Sequence, residues 1–144
     1  MVEIGNVIHP EINRKIRGLV LALETKHIQG IREYIPTYRS LLVQYDPAEI
    51  LFHELIEQIK QLESQLEAAA IPEPKIIEIP VVYGGEFGPD LEFVATHNNL
   101  SQEEVITLHT NRDYLVYMLG FTPGFCYLGG MSEQLETPRL ATPR

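Results

Sequence analysis

The sequence predicts an α+β fold, in which two helices alternate with short strands ahead of a glycine-rich second part. Apolar residues recur at helical spacing from about residue 10 to 27 and again from 46 to about 69. Short runs of β-branched and aromatic residues lie before, between and after these two segments. With 144 residues, 44% of them apolar, the chain is long enough for one domain and part of another.

Each element of the first half has its own signal. Pro10 suits the first position of a helix, where the missing N–H of proline is not needed. Residues 31–35 and 40–45 are expected to form a hairpin that turns after Pro36. Asp46 as N-cap and Pro47 in the first turn predict the start of the second helix.

Residues 75–83 (KIIEIPVVY) predict a further strand, with Pro80 at an edge or a crossover because proline lacks a backbone donor. With residues 2–4 as a short first strand, the order becomes β-α-β-β-α-β. This is the ferredoxin-like split βαβ pattern. We therefore expect a first domain over residues 1–80, with a truncated first strand, and a second domain over residues 81–144.

The second part opens on a glycine-rich turn that precedes a short helix. Such turns can hold phosphate on backbone N–H groups. A plain structural turn is the favoured interpretation here, because no lysine or serine follows as in a P-loop and an acidic residue would occupy the helix start. Ser101 and Glu104 have capping-box spacing and predict a second short helix to about His109. Residues 114–119 predict a buried strand. The turn residues are Gly84, Gly85, Gly88, Pro89 and Asp90.

Composition excludes several classes of protein. Eleven basic and twenty acidic residues give a net charge of −9, which argues against a nucleic-acid binder or a basic membrane-surface protein. No apolar run reaches the length of a membrane-spanning helix. One cysteine, Cys126, excludes an internal disulfide and favours a reducing, cytoplasmic location. The five histidines lack the spacing of a helical metal site, so we predict no metal.

Two side chains are weighed for chemistry against simpler roles. His109 has the near-neutral titration range of a general acid or base, but a histidine that interacts with a helix C-terminus is the favoured interpretation. Cys126 lies between two aromatic residues with no neighbouring base in the sequence. We therefore expect Cys126 to be a small buried apolar residue rather than a nucleophile.

The run of residues 120–130 (GFTPGFCYLGG) is the most unusual part of the chain. Its four glycines, one proline and three aromatic residues are poorly suited to a regular helix or strand. A loop that lines a small-molecule pocket and a structural loop filled by aromatic rings are equally good interpretations. Arg139 and Arg144 each follow a proline and are candidates to bind a carboxylate or phosphate, although solvated arginines are more common.

These segments resemble allophanate hydrolase subunit 1. That family includes the Kip inhibitor of a sporulation sensor kinase and the B subunit of bacterial 5-oxoprolinase, and it is similar to part of the carboxyltransferase region of urea carboxylase. The resemblance extends over essentially the whole chain. Its motifs are residues 120–130, 83–91 (YGGEFGPDL), 137–139 (TPR), 35–43 (IPTYRSLLV) and 46–47 (DP).

The resemblance implies a ferredoxin-like domain followed by a β-rich, cyclophilin-like domain. Family members begin with a fuller first strand and continue beyond the repeated Thr-Pro-Arg. We therefore expect the native protein to be longer than 144 residues and the second domain to be represented here by its N-terminal part.

The resemblance also implies a function. It favours the B subunit of an ATP-dependent 5-oxoprolinase, which acts with the C and A subunits to open 5-oxoproline to glutamate, with ATP bound together with a partner subunit. The alternative is a Kip-type inhibitor of a sensor histidine kinase. A lesser alternative is a subunit related to allophanate hydrolase or urea carboxylase. The expected catalytic residues are His109 and Arg139. The expected substrate-binding residues are Phe121, Pro123, Gly124, Phe125, Tyr127, Gly129, Gly130 and Arg144.

Overall fold

The computed structural model describes residues 1–64, 66 and 71–142, which fall into two compact units. The first unit comprises Met1–Pro74 and Val116–Tyr127, and the second comprises Lys75–Leu115 and the described residues from Leu128 onward. The mixture of helices and small sheets confirms the predicted α+β class. In chain order the elements are β1 (Val2–Glu3), α1 (Pro10–Lys26), β2 (Ile31–Pro36), β3 (Ser40–Tyr45), α2 (Phe52–Glu63), α3 (Leu91–Asn98), α4 (Gln102–Thr110), β4 (Leu115–Leu119) and β5 (Cys126–Gly129), followed by a 3-10 turn at Glu133–Leu135.

The first unit contains a three-stranded antiparallel sheet in the order β1-β3-β2. The predicted hairpin of β2 and β3 is present, with Pro36 opposite Leu41 and an irregularity between Ile31 and Glu33. Helix α1 connects β1 to β2, and β3 lies between those two strands in the sheet. This arrangement is the split βαβ unit that the order of elements predicts.

Helix α1 supplies one side of the first unit's core. Pro10 occupies the start of the helix as predicted, and the helix ends at His27, whose φ of +47° is left-handed. Residues 16, 19 and 23 lie on one face because they are three and four positions apart. The core is Ile16, Leu19 and Leu23 of α1, Leu41 of β3 and Leu55, Ile59 and Leu62 of α2, with Ile28, Ile50 and Leu66 beside them.

The predicted start of the second helix at Asp46 is wrong. Residues 46–50 form a turn, and α2 begins at Phe52 after Leu51, whose N–H donates to Glu54 Oε2 at 3.0 Å. The Asp46 carboxylate instead accepts from the N–H of Ala48, two residues on, at 2.9 Å. Asp side chains that bond in this way favour a turn over a helix. The helix ends at Glu63, and residues 65 and 67–70 of its predicted end lie outside the described residues.

The strand predicted over residues 75–83 is absent from the described structure. The segment forms no strand, and Ile76, Ile77 and Ile79 are each more than 75% exposed. A strand requires a neighbour that pairs with its backbone groups, and Pro80 removes one of the donors it would offer. The described part of the first sheet therefore has three strands rather than the four predicted.

The second unit is built around two short helices. Helix α3 begins after Asp90, and α4 begins after Ser101 in the predicted capping box. The Ser101 hydroxyl accepts from the N–H of Glu104 at 3.2 Å, and Glu104 Oε2 accepts from the N–H of Ser101 at 2.7 Å. The buried cluster is small and consists of Ala95, Val105 and Leu135.

Strands β4 and β5 form a two-stranded sheet. The first was predicted as buried over residues 114–119, but only Tyr117 of Leu115–Leu119 is buried. The second, Cys126–Gly129, lies inside the run that composition assigned to a loop. The prediction of a loop was wrong for these residues because it rested on glycine content. The glycines with positive φ, Gly124 and Gly130, lie on either side of the strand and not within it.

Candidate functional site

Residues 120–125 form a closed loop between β4 and β5. The N–H of Gly120 donates to the carbonyl of Phe125 at 3.1 Å, which joins the two ends. The N–H of Thr122 donates to the carbonyl of Gly120 at 2.8 Å, and Phe121 between them has a φ of +65°. A bond between residues two apart around a positive φ is a γ-turn of the rare, strained kind.

A second turn follows directly in the same loop. The N–H of Phe125 donates to the carbonyl of Thr122 at 3.1 Å. Pro123 and Gly124 are the two central residues, and Gly124 has a φ of +78°. Proline followed by a residue at φ near +80° defines a type II turn, in which the third position favours glycine. The Thr-Pro-Gly-Phe motif is therefore explained by local backbone geometry.

The two turns leave the Phe121 ring in solvent. Phe121 is 86% exposed and Phe125 is 46% exposed, and their centroids are 5.6 Å apart at an interplanar angle of 69°. A bulky residue at positive φ is strained by about 1–3 kcal/mol, and such strain persists where surrounding structure enforces it. The loop thus presents an edge-to-face aromatic pair at its tip.

Five rings of the first unit form a continuous series, here called the aromatic row. Between ring centroids, the distance is 5.2 Å from Tyr117 to Tyr38 and 5.9 Å from Tyr38 to Tyr127. The Tyr127 and Phe125 centroids are 5.2 Å apart, and the Phe125 ring contacts Phe121. Each separation is within the 4.5–7 Å range of favourable aromatic pairs. The sequence prediction included Phe121, Phe125 and Tyr127 but missed Tyr38 and Tyr117.

A buried asparagine holds β4 from the other side. Asn13 on α1 is 2% exposed, and its Nδ2 donates to the carbonyl of Tyr117 at 3.0 Å. A buried amide of this kind is retained only where its hydrogen bond is made. Both the backbone and the ring of Tyr117 are therefore fixed within the first unit.

The glycine-rich segment before α3 forms a turn whose glycines are required by space and conformation. Gly84 and Gly85 have φ of +75° and +56°, and the N–H of Gly88 donates to the carbonyl of Gly84 at 3.0 Å. A Cβ on Gly88 would lie 2.4 Å from the Gly84 nitrogen. Pro89 then leads to Asp90, the N-cap residue of α3. The geometry favours the structural role that the sequence suggested for this segment.

His109 lies in the last turn of α4, between two tyrosines. The Tyr83 hydroxyl is hydrogen-bonded to Nδ1 of His109, and the Tyr114 hydroxyl donates to the His109 carbonyl at 2.9 Å. The His109 ring lies 5.7 Å from the Tyr83 ring and 5.4 Å from the Tyr114 ring. Burial, and then the proximity of Tyr114, raise the pKa of Tyr83 above its usual value. Tyr83 therefore stays protonated near neutral pH and fixes the orientation of the imidazole.

The remaining predicted site residues are less constrained. Arg139 is exposed, and Arg144 lies outside the described residues. Gly129 ends β5, and Gly130 follows at a φ of +106° with its carbonyl bound by Nη1 of Arg112 at 3.1 Å.

Cys126 is exposed, so its predicted burial is wrong. Its thiol lies 3.6 Å from the carbonyl of Gly124 at the end of the type II turn, where the chain leaves the loop at the surface. Within residues 1–64, 66 and 71–142, no three His, Cys, Asp or Glu side chains are grouped to hold a metal ion. In the same residues, no helix combines the length and the apolar character needed to cross a bilayer.

A family model for the carboxyltransferase domain, subdomain C and D, matches residues 1–144. The chain belongs to this family. Among named relatives, the B subunit of 5-oxoprolinase from Bacillus subtilis (strain 168) is 44% identical over 156 aligned positions, and its counterpart in Escherichia coli O157:H7 is 44% identical over 124. These alignments cover 100% and 86% of this chain. The chain spans 64% and 56% of the two relatives' own lengths.

Two solved structures are similar to this chain in fold. A crystal structure of TTHA0988 has a TM-score of 0.83 and 36% identity, and the match covers 99% of this chain and 28% of that one. The urea amidolyase of K. lactis has a TM-score of 0.55 at 19% identity, covering 82% of this chain and 8% of the other. The second match supports a shared fold only.

In this carboxyltransferase-family chain the predicted site residues divide between the two units. Phe121, Pro123, Gly124, Phe125 and Tyr127 belong to the first unit, and His109, Gly129, Gly130 and Arg139 belong to the second. Within each unit the structure adds tyrosines that spacing along the sequence does not reveal. The signal for Tyr38 was its place in the motif of residues 35–43, and Tyr83 opens the motif of residues 83–91.

Proposed function

We propose that this chain acts as the B subunit of an ATP-dependent 5-oxoprolinase, working with the C and A subunits to open 5-oxoproline to glutamate. The observation that carries the proposal is the 44% identity, over the whole of this chain, to the B subunit of 5-oxoprolinase from Bacillus subtilis. The strained conformation of Phe121 supports a functional role for this loop, because strain of this kind clusters at functional sites.

The chemistry sets requirements for the residues that we propose. A lactam is a poor electrophile, and phosphorylation of its oxygen supplies a leaving group before water opens the ring. A site for this reaction needs an apolar wall for the ring, cationic groups for carboxylate and phosphate, and a group that transfers a proton. We assign the wall to the loop of residues 120–125 and the cationic role to Arg139.

His109 is the proposed proton-transfer residue. The Tyr83 hydroxyl binds one ring nitrogen, Nδ1, so the second nitrogen, Nε2, remains available for chemistry. An orienting partner on one nitrogen is the usual support for a histidine that transfers a proton through the other. We propose Gly129, Gly130 and Arg144 as further substrate-binding residues.

ATP and location form part of the same proposal. The sequence lacks a P-loop, so we propose that ATP is held together with a partner subunit rather than by this chain alone. A cytoplasmic location fits both the requirement for ATP and the single cysteine.

Co-expression with a C subunit of 5-oxoprolinase, followed by addition of an A subunit, tests the proposal. We expect ATP hydrolysis that depends on 5-oxoproline and releases glutamate. Arg139→Ala should lower this turnover by about tenfold or more, because a charge-assisted contact to an anion is lost. Arg14→Ala, an exposed arginine on α1, is the matched control and should retain it.

Two results would count against these assignments. Unchanged turnover in Arg139→Ala would remove Arg139 from the site while leaving the overall function intact. Absence of 5-oxoproline-dependent turnover, together with loss of sensor-kinase autophosphorylation when the protein is added, would replace the proposal with the Kip-type inhibitor.

A further inference from the structure

We infer that Tyr38 is a positioning residue that holds the loop of residues 120–125 in its ligand-binding shape. The inference rests on the proposed function for the role of the loop, but its structural part is independent of the substrate. Tyr38 is more than 80 positions from the loop in sequence, and nothing in the composition of either segment connects them.

The backbone that carries Tyr38 is itself fixed. The turn between β2 and β3 is closed by the N–H of Thr37, which donates to the carbonyl of Ser40 at 2.9 Å. The Thr37 hydroxyl accepts from the N–H of Ser40 at 3.2 Å and contacts the Ser40 hydroxyl at 2.8 Å. Ser40 is 7% exposed, so water has little access to its hydroxyl group. The Tyr38 ring therefore projects from a rigid base.

The Tyr38 ring contacts a strand on each side of the loop. It lies 5.2 Å from Tyr117 on β4, at 40°, and 5.9 Å from Tyr127 on β5, at 83°. Removal of this one ring would break both contacts at once. Asn13 fixes the Tyr117 backbone only, so on the β5 side Tyr38 is the link from the hairpin of β2 and β3 to the aromatic row.

The loop needs support from outside because its own geometry is strained. Phe121 is 86% exposed at a φ of +65°, so burial of its ring contributes little toward holding the γ-turn. Its packing partner is Phe125, which is held in turn by Tyr127, and Tyr127 packs on Tyr38. Strained conformations persist where neighbours over-determine them. Here the ring contacts that run from Tyr38 to Phe121 hold the strained γ-turn in place.

Kinetics in the assembled complex test the ligand-binding part. Y38A and Y38L should each raise the KM for 5-oxoproline by about tenfold, because two aromatic pairs are lost, with a smaller change in kcat. Y38F retains the ring and should stay within about twofold of the wild type. Y34A is the matched control, since Tyr34 lies on the same hairpin and packs against the core, but its ring pairs with no other ring among the described residues. It should leave the KM unchanged.

Chymotrypsin cleavage of the full chain tests the structural part without substrate. Cleavage after Phe121 and Phe125, mapped by mass spectrometry, should be several-fold faster in Y38A and Y38L than in the wild type or Y34A, because a loosened loop opens more often. Circular dichroism confirms that each variant is folded.

The outcomes separate the inference from the proposed function. Faster cleavage of the Tyr38 variants, with no 5-oxoproline turnover even in the wild-type complex, would support the positioning role and reject the function. Folded Y38L with wild-type cleavage and KM would overturn the inference. It would also be overturned if Y34A matched Y38A in both measurements, or if Y38A and Y38L failed to fold while Y34A folded, since Tyr38 would then be a core residue.

Discussion

The two units bury their apolar side chains to very different extents. In the first unit, Ile16, Leu19, Leu23 and Leu41 are fully buried between two helices and a sheet. In the second unit, the cluster of Ala95, Val105 and Leu135 is smaller, and its members are 5–7% exposed. Within residues 75–83 of the second unit, three isoleucines are more than three-quarters exposed: Ile76, Ile77 and Ile79.

The difference follows from how the apolar residues are arranged along each segment. A helix with an apolar stripe buries that stripe against one neighbour, and α1 and α2 share one buried cluster with Leu41 of β3. An extended segment with apolar residues on both faces needs sheet neighbours to bury them, and no strand of the described structure pairs with residues 75–83. We therefore expect stability to be concentrated in the first unit.

Matched leucine truncations provide the strongest test of this contrast. Leu19→Ala should lower the free energy of unfolding by about 2–5 kcal/mol, because the fully buried site cannot collapse around the cavity. Leu135→Ala should cost below about 2 kcal/mol, since its small cluster can relax. Urea titrations followed by circular dichroism measure both. Equal losses would mean that the two cores are equivalent.

Two asparagines extend the comparison to buried polar groups. Asn13→Ala should cost about 1–3 kcal/mol, because the Tyr117 carbonyl loses its partner in a buried site. Asn98, which is half-buried in the second unit, donates to the Val94 carbonyl and to Oγ1 of Thr137. Asn98→Ala should cost about 0.5–1.5 kcal/mol, because water can replace its bonds. A larger loss for Asn98 in the same titration would reverse the ranking.

The second unit depends more on local signals such as the capping box of α4. Ser101→Ala should cost about 1 kcal/mol, because the N–H of Glu104 loses its acceptor. Thr107→Ala on the same helix is the control and should stay within about 0.5 kcal/mol, since its exposed hydroxyl bonds only the preceding turn. Hydrogen exchange of α4 amides reports both effects. Equal exchange in the two variants would show that the cap contributes nothing.

Most elements that near neighbours along the chain decide could be predicted from the sequence. The helix that begins at Pro10, the hairpin of β2 and β3 and the capping box of Ser101 are all confirmed. Two predictions were wrong. One concerned a side chain that bonds a nearby backbone group in a turn, and the other a segment that needs a distant strand as its neighbour. The Asp46 carboxylate accepts a backbone N–H within a turn instead of capping a helix. Residues 75–83 have the composition of a strand, but no strand of the described structure pairs with them.

The candidate site shows the same limit. The sequence predicted only a loop over residues 120–130, and the structure places Gly124 at the positive φ that a Thr-Pro-Gly-Phe turn needs. The contacts that connect Tyr38 to Tyr117 and Tyr127 are long-range, so no periodicity or spacing predicts them. Exposure of Cys126 was mispredicted for a related reason, because its aromatic neighbours in sequence pack toward Tyr38 and Phe121 rather than over the thiol.

The smallest effect is expected from the exposed charges of the first unit. Arg32 donates to Asp46 Oδ2 at 2.9 Å and to Glu49 Oε1 at 2.8 Å. The Arg32 guanidinium, and then the Ala48 N–H, hold the pKa of Asp46 below its usual value. A carboxylate with a lowered folded pKa adds stability above its ordinary pKa, and that stability is lost as the pH falls through the lowered value.

Asp46→Asn removes this charge and leaves an oxygen that can still accept from Ala48. Its urea midpoint should lie slightly below that of the wild type at neutral pH, by less than the Ser101→Ala change, because exposed ion pairs contribute little. The difference in urea midpoint between the variant and the wild type should vanish in acid, where both side chains are neutral. It should also become smaller in 1 M salt at neutral pH. A gap that persists in acid would assign the effect to the turn rather than to the charge. A gap at neutral pH as large as that of Asn13→Ala would show that surface charge, and not the buried core alone, distinguishes the first unit from the second.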